Sequence, residues 1–276
     1  MSTAEKYFSL FDFPLTNVEA WYWQWQSSEP LSVDVQSRPA AWRERQTRFI
    51  LAERKYRLAG KVSRWLRFIP FIRLIAICNT LAINHSREAA DIDFFIVTAR
   101  RRVWLVRFLA VGFVKLFSHR PRPGGGQERD AICLSFFVDD HHLNMSDVAL
   151  KPYDVYLSYW LAQVYPLYDE QETYQKFWQE NRWLNAYLPR VAPVIPHPDR
   201  QLTASRWPFK RWAEKLLMGR PGEWLEQKLK AWQLTIMPRR LTSRMNRDTS
   251  VVVNDFMLKF HDQDRRAEYR QRFENQ

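Results

Sequence analysis

The sequence predicts an α+β fold, with alternating strands and helices in the middle of the chain and helices at both ends. Two observations carry this prediction. Between residues 72 and 138, apolar runs of strand length alternate with loop and helix patterns, which is the order of strand–helix–strand units. On either side, apolar residues recur at helical spacing. With 276 residues, 46% of them hydrophobic, the chain can bury a substantial core.

The N-terminal segment, residues 1–38, is predicted to be helical. Thr16 followed by Glu19 matches a capping box, in which each side chain bonds the backbone N–H of the other residue. A long helix is predicted to begin at Pro39, because proline is favoured in the first helical turn. This helix combines apolar residues with many arginines and is expected to end before Pro70.

The middle of the chain supplies the predicted strands. Its apolar runs are bounded by polar or breaker-rich segments, and an apolar helix lies between the second and third runs. The glycine-rich segment 118–127 is interpreted as a surface loop, in preference to a phosphate-binding role for Arg120 and Arg122. The predicted elements are strands 72–78, 93–98 and 131–138 and a helix at 101–117.

The rest of the chain is predicted to be helical. Aromatic-rich helices are expected over 153–165 and 170–187, and a proline-rich connector, 188–198, separates them from a basic helix at 222–234. Its repeated tryptophans are assigned to packing rather than to base stacking. The predicted division is an N-terminal segment 1–38, an α/β core 39–150, a helical extension 151–190 and a basic helical C-terminal region 199–276.

Positive charge is concentrated in two blocks of the chain. Residues 36–130 hold 20 Lys and Arg against 7 Asp and Glu, and residues 206–276 hold 16 against 9. Such blocks attract nucleic acid, polyphosphates or acidic membranes, although many basic helices are simply solvated. Charge by itself therefore leaves the partner open.

Nothing in the sequence indicates secretion or a membrane span. The apolar stretch 103–117 is interrupted by Arg107 and Lys115 and is too short to cross a bilayer. The N-terminus lacks a signal-peptide pattern. Both cysteines, Cys78 and Cys133, lie in apolar strand-like runs, which favours buried thiols in a reducing compartment. The expected localisation is cytoplasmic, with no integral membrane segment.

Two acids stand at the start of the second predicted strand. Asp91 and Asp93 are two residues apart, so in a strand their side chains point to the same face, roughly 7 Å apart along the backbone. Two carboxylates so placed repel each other, and without a cation one of them would have a raised pKa. The spacing therefore indicates a site for a divalent cation.

The residues around this pair resemble the motif of nucleotidyltransferases of the DNA polymerase beta superfamily. Cys78, Asn79 and Thr80 stand where that motif has an apolar residue, Gly and Gly or Ser, and after ten residues Asp91 to Phe94 match its Asp, apolar, Asp or Glu, apolar run. The likeness extends to a bacterial subgroup of predicted nucleotidyltransferases over about residues 7–190. In that subgroup the corresponding N-terminal segment resembles a winged-helix module. The alternative interpretation of this segment is a small helical cap on the core.

The resemblance implies a nucleotidyltransferase-like small mixed sheet flanked by helices. It also implies Mg²⁺-dependent transfer of a nucleotidyl group from an NTP to a hydroxyl on a protein, a nucleic acid or a small molecule. Asp91 and Asp93 would be the catalytic carboxylates and would hold Mg²⁺. Asn79 and Thr80 would bind the β and γ phosphates. Asp139 and Asp140 are the candidates for a third metal-binding carboxylate.

Three departures from the motif support an alternative function. Asn79 and Asn84 stand where the family has glycine, and the strand 131–138 lacks the acid that active members carry there. The alternative is a catalytically inactive protein of the same fold that binds nucleotide or nucleic acid as a regulator. A third hypothesis is a peripheral membrane protein held by Trp and Arg.

The run Asp139, Asp140, His141 and His142 also has the composition of a metal site. Consecutive residues point in different directions, and no second His or Cys pair stands at zinc-like spacing. An exposed turn is therefore the favoured interpretation of this run.

Overall fold

A six-stranded mixed sheet organises the computed structural model, which describes residues 2–27, 39–117, 128–203 and 207–275. The strand order is β4-β1-β2-β3-β6-β5. Strand β2 runs parallel to β3, and the other neighbouring pairs are antiparallel. The strands are β1 Ile72–Ile77, β2 Ile92–Thr98, β3 Ile132–Asp139, β4 Tyr165–Asp169, β5 Val251–Val253 and β6 Met257–Phe260.

Helices pack against this sheet, and the first two helices make up the described N-terminal part. Within the described residues, no helix has both the length and the apolar character needed to cross a bilayer. The helices are α1 Thr3–Ser9, α2 Asn17–Tyr22, α3 Pro39–Leu66, α4 Asn79–Ala82, α5 Val103–Phe117, α6 Val155–Gln163, α7 Thr173–Glu180, α8 Pro208–Leu216, α9 Arg220–Thr235, α10 Arg239–Thr242 and α11 Arg266–Asn275.

Local sequence signals account for several of these boundaries. The capping box predicted at Thr16 is present at the start of α2, with Thr16 Oγ1 accepting from the Glu19 backbone N–H at 3.1 Å. The long helix α3 begins at Pro39 and ends at Leu66, before Pro70, as predicted. Strands β1, β2 and β3 and helix α5 also lie where the apolar runs predict them.

The sheet is buried on both faces. Because side chains alternate along a strand, Ile75 and Ile96 pack on one face against α3 and α5, whereas Leu74 and Phe95 pack on the other against α1, α6 and α7. The burial of both faces explains why β1 and β2 read as almost continuous apolar runs.

Three strands of the sheet are not predicted from the sequence. Strand β4, residues 165–169, falls between the helices expected at 153–165 and 170–187, and it follows α6 directly. Strands β5 and β6, residues 251–260, lie in the region predicted to be basic and helical. The sheet therefore combines residues from the predicted core, extension and C-terminal region, because pairing with β1 and β3 outweighs local helical patterning.

The described part of the N-terminal segment is a helical cap. Residues 2–27 form α1 and α2, and this stretch contains no strand that would make the β-hairpin of a winged helix. Tyr7 and Phe8 are buried, and the Tyr7 ring stacks on Tyr159 of α6 with ring centroids 3.8 Å apart. Helix α1 therefore closes one end of the core beside the site described next.

Candidate functional site

Two asparagines in the turn after β1 have positive φ, a backbone conformation that glycine adopts more readily than other residues. Asn79 has φ +60° and Asn84 has φ +56°, both in the left-handed region. Asparagine enters this region more readily than most residues because its short polar side chain makes local hydrogen bonds. Both asparagines therefore hold a backbone conformation that glycine adopts readily.

The Asn79 side chain connects this turn to the acidic pair. Its Nδ2 donates to Asp93 Oδ2 at 2.7 Å. Its Oδ1 accepts from the Tyr156 hydroxyl at 3.0 Å and from Trp160 Nε1 at 3.1 Å, both from α6. An amide oxygen accepts while the amide nitrogen donates, so the two α6 donors fix the orientation in which Asn79 donates to the carboxylate.

A thiol occupies the third position of the acidic site. Because β2 and β3 are parallel and pair Asp93 with Cys133, the cysteine side chain joins the carboxylates. One ligand atom each from Asp91, Asp93 and Cys133 lies within 4.8 Å of the others. From the sequence, Cys133 is expected only to be a buried thiol. The structure places it beside Asp91 and Asp93.

Burial makes this cluster electrostatically costly. Desolvation, followed by the charge of Asp93, raises the pKa of Asp91 from 3.8 to about 7. Desolvation also raises the pKa of Asp93, against the opposing hydrogen bonds from Asn79 and Cys133. Burial, with the charges of both aspartates, raises the pKa of Cys133 well above its ordinary value. The cysteine therefore stays a thiol beside Asp93. Among the described residues, no ion pair neutralises Asp91 or Asp93.

The loop before Asp91 is held by a buried lysine. Lys55 of α3 is fully buried, and its Nζ donates to the backbone carbonyl of Ala90 and to Asp130 Oδ1 at 2.9 Å. Arg54 also binds Asp130 Oδ1 at 2.9 Å. Lys55 thus holds the chain just before β2 through Ala90. Together with Arg54 it also binds the Asp130 carboxylate just before β3.

A cleft lies beside Asn79 and its two hydrogen-bond partners on α6, Tyr156 and Trp160. Gln163, at the end of α6, is 6% exposed, and its Nε2 has no hydrogen-bond partner among the described residues. An unpaired buried donor costs free energy of about 1–3 kcal/mol, so such a group beside a cleft indicates a missing acceptor. The cleft is lined by Tyr7, Phe11, Asn79, Thr80, Ile83, Tyr156, Trp160 and Gln163.

Asp139 and Asp140 do not join the site. The parallel pairing sets Asp93 opposite Cys133 and Thr98 opposite Asp139, which separates the two ends of the strands by roughly 17–20 Å at ordinary strand rise. The expectation that these residues supply a third metal ligand to the same ion is therefore not met. Proximity in sequence suggests these residues as ligands, but the direction of β3 carries Asp139 to the opposite edge of the sheet.

The far acids instead order the turn that follows β3. The buried Asp139 carboxylate accepts from the backbone N–H of Arg101 at 3.2 Å, and Asp139 Oδ1 lies 2.6 Å from His142 Nδ1. Oxygen and nitrogen atoms of Asp139, Asp140 and His141 also lie within 4.8 Å of one another, but His141 is exposed. His141 and His142 are exposed, as expected of a turn, whereas Asp139 is buried. Arg120 and Arg122 lie outside the described residues.

Four residues of the site have no individual signal in the sequence. Cys133 could be found by counting, since it is the second residue of β3 as Asp93 is the second of β2. Tyr156, Trp160 and Gln163 share one face of α6, at spacings that a core helix would show equally well.

Comparisons of the chain with protein-family models, with curated proteins and with solved structures found no match in any of the three. The chemistry of the site therefore has to be argued from its own residues. These residues offer two desolvated carboxylates, a thiol, a hydroxyl and an amide that lacks an acceptor.

Proposed function

We propose that this protein is a nucleotidyltransferase, which transfers a nucleotidyl group from an NTP to a hydroxyl acceptor with Mg²⁺. The hydrogen bond from Asn79 to Asp93 carries the proposal. It joins a turn with positive φ at Asn79 to a carboxylate pair at the motif's spacing. Thr80, next in the turn, lines a cleft beside that bond.

Two of the three candidate ligands, the carboxylates of Asp91 and Asp93, are suited to Mg²⁺. Protein sites commonly hold Mg²⁺ by one or two carboxylates, with water and substrate phosphates completing an octahedron. Asp91 and Asp93 supply such a pair, and the desolvation that raises the pKa of each carboxyl is a cost that a bound cation would offset. The Cys133 thiol is a soft group that Mg²⁺ does not favour, so it stays beside Asp93 as a neutral thiol. Bound here, Mg²⁺ would neutralise charge on the triphosphate.

The chain's own residues would divide the remaining work. The Thr80 hydroxyl can donate to a phosphate oxygen at the mouth of the cleft, and Asn79 holds the Asp93 carboxylate in place. In the reaction, the acceptor oxygen bonds to the α-phosphorus and the bond to the β-phosphate oxygen breaks. Pyrophosphate leaves, and the hydroxyl proton passes to solvent. The unpaired Gln163 amide would bind an acceptor atom of the substrate.

Calorimetry with each Mg-NTP tests the proposal. Wild type should bind at least one Mg-NTP, and the Asp91→Asn/Asp93→Asn variant should bind it at least about tenfold more weakly, since a metal-bridged triphosphate loses both ligands. Asp140→Asn is the matched control, because it removes a carboxylate at the opposite end of the strands. Equal binding by wild type and the double variant would contradict the proposal.

The second candidate is a nucleotide-binding protein without transferase activity. Cys133 favours it, because a thiol stands where a third carboxylate would lie beside the pair. Transfer of labelled nucleotide to components of a cell lysate separates the two candidates. Product that depends on Asp91 and Asp93 supports the enzyme, whereas Mg-NTP binding without product in any nucleotide supports the binding protein.

A further inference from the structure

Helix α8 packs on the protein through its polar side chains. Lys210 is 1% exposed, and its Nζ donates to the backbone carbonyl of Ile72 at 2.9 Å and pairs with Glu170. Glu214 accepts from the backbone N–H of Phe71 at 2.6 Å and from Arg73 at 2.9 Å. An ordinary surface helix buries its large apolar side chains, whereas α8 buries Lys210 and the small Ala213 and leaves its large apolar side chains exposed.

The opposite side of α8 is exposed and apolar. Trp212, for example, is 59% exposed. The rings are in contact, with centroids 5.3 Å apart for Trp207 and Phe209 and 5.8 Å apart for Phe209 and Trp212. Within the part of the chain that the structure describes, these side chains stay largely exposed, and a contiguous exposed apolar patch of this kind is typical of an interaction surface. The exposed set is Trp207, Phe209, Trp212, Leu216 and Met218.

The C-terminal end of α3 extends this surface. The Phe68 ring lies 4.8 Å from the Trp207 ring and 6.5 Å from the Trp65 ring, measured between centroids, and Trp65 is 64% exposed. These residues together are called the aromatic face: Trp65, Phe68, Trp207, Phe209, Trp212, Leu216 and Met218.

Most exposed charges close in sequence to the aromatic face are positive. The exposed basic residues are Arg64 on α3, Arg211 and Lys215 on α8, and Arg220 at the start of α9. Glu214, the single acid of α8, is bound to Arg73, and Glu223 in the first turn of α9 is an exposed acid. Positive charge therefore predominates among these neighbours, within a chain of net charge +12.

We propose that the aromatic face binds the surface of an anionic lipid bilayer. Interfacial helices lie in the membrane plane with Trp, Phe and Leu in the headgroup boundary and with Lys and Arg near anionic lipids. Helix α8 presents this combination outward, while Lys210 and Glu214 attach it to the protein. Binding of this kind needs no membrane-spanning helix. The proposal does not depend on the nucleotide chemistry.

Two other occupants fit the surface less well. Single-stranded nucleic acid would stack on the rings, but the exposed aliphatic chains of Leu216 and Met218 add nothing to base stacking. A second copy of the chain, joined by a two-fold contact through this face, would bring Arg211 and Lys215 close to their own counterparts. A bilayer uses the aliphatic groups and the cations together.

Vesicle flotation without nucleotide tests the proposal. Wild type should float with vesicles of equal parts phosphatidylglycerol and phosphatidylcholine, and much less with phosphatidylcholine alone. Trp207→Ser/Trp212→Ser/Leu216→Ser should lower the partition coefficient by about tenfold or more, because three apolar groups no longer enter the boundary. Arg211→Gln/Lys215→Gln should weaken binding to the anionic vesicles specifically.

Phe49→Ser/Ile50→Ser is the matched control. Both residues are exposed and apolar, and they lie on α3 about 22 Å from Trp65 at the helical rise of 1.5 Å per residue. This variant should float like wild type. The proposal is overturned if wild type stays at the bottom of the gradient or if the triple variant floats unchanged. It is also overturned if the triple variant instead loses oligonucleotide binding or dimerisation that wild type shows without vesicles.

Discussion

Asp93 and Cys133 are paired across the parallel strands β2 and β3, and the Cys133 sulfur lies within 4.8 Å of an Asp93 carboxylate oxygen. This proximity decides how the acidic site behaves without a cation. A thiol beside Asp93 adds no charge to the site. A third carboxylate in its place would require a cation to be tolerated.

Cys133→Asp should therefore make the protein more dependent on metal. Without a divalent cation at pH 8, a third buried carboxylate should lower the free energy of unfolding by about 1–3 kcal/mol. Mg²⁺ should stabilise this variant more than wild type, by mass action on the folded state. Thermal unfolding with and without Mg²⁺ measures both effects. Cys133→Ser, which adds no charge, is the control, and an equal response to Mg²⁺ in Cys133→Asp and wild type would refute the prediction.

The pKa of Asp91 predicts a pH dependence of stability. Because folding raises this pKa from 3.8 to about 7, the folded state binds a proton that the unfolded state releases. The contribution to stability is complete below pH ~4 and is lost as pH rises through 7. The stability of Asp91→Asn relative to wild type should increase over this range by roughly 2–4 kcal/mol.

Urea unfolding at several pH values, without metal, measures this difference. Asp140→Asn should show no such trend. A constant difference between Asp91→Asn and wild type from pH 4 to pH 8 would mean that Asp91 ionises normally in the folded protein.

Substitutions of Asn79 separate its backbone role from its side-chain role. Asn79→Gly and Asn79→Ala both remove the hydrogen bonds to Asp93, Tyr156 and Trp160. Only alanine also meets steric strain at φ +60°. The glycine variant should be more stable than the alanine variant by about 1 kcal/mol, and both should be less stable than wild type. Chemical denaturation checks the order, which equal stabilities of the two variants would exclude.

Lys55→Met tests the support of the loop before Asp91. The variant loses the bonds from Nζ to Ala90 and Asp130, and the free energy of unfolding should fall by about 1–3 kcal/mol. It also removes a positive charge that lowers the pKa of Asp91. Its loss of stability should therefore be larger at pH 8 than at pH 4. Arg54→Met, which removes a more exposed partner of Asp130, is the control and should cost less.

Gln163→Met should separate ligand binding from stability. Because the Nε2 group has no partner among the described residues, replacing it should leave the stability of the free protein unchanged or raise it by about 1 kcal/mol. If the amide binds the nucleotide, affinity for the preferred Mg-NTP should fall about tenfold. Unfolding and calorimetry give the two values, and reduced stability with unchanged affinity would assign Gln163 to the core instead.

The sequence by itself determined the strands at 72–78, 93–98 and 131–138, the start of α3 and the spacing of Asp91 and Asp93. These are local properties, since apolar runs, caps and two-residue spacing act within a few residues.

Only the tertiary structure decided which side chains meet. The parallel register of β2 and β3 brings Cys133 to the pair and carries Asp139 to the opposite edge. The packing of α6 adds the donors to Asn79 and the unpaired amide of Gln163. Strands β4, β5 and β6, and the outward turn of the apolar side of α8, likewise arise from contacts between residues distant in the chain. Local periodicity carries no information on such partners, because burial depends on what the rest of the chain places opposite each face.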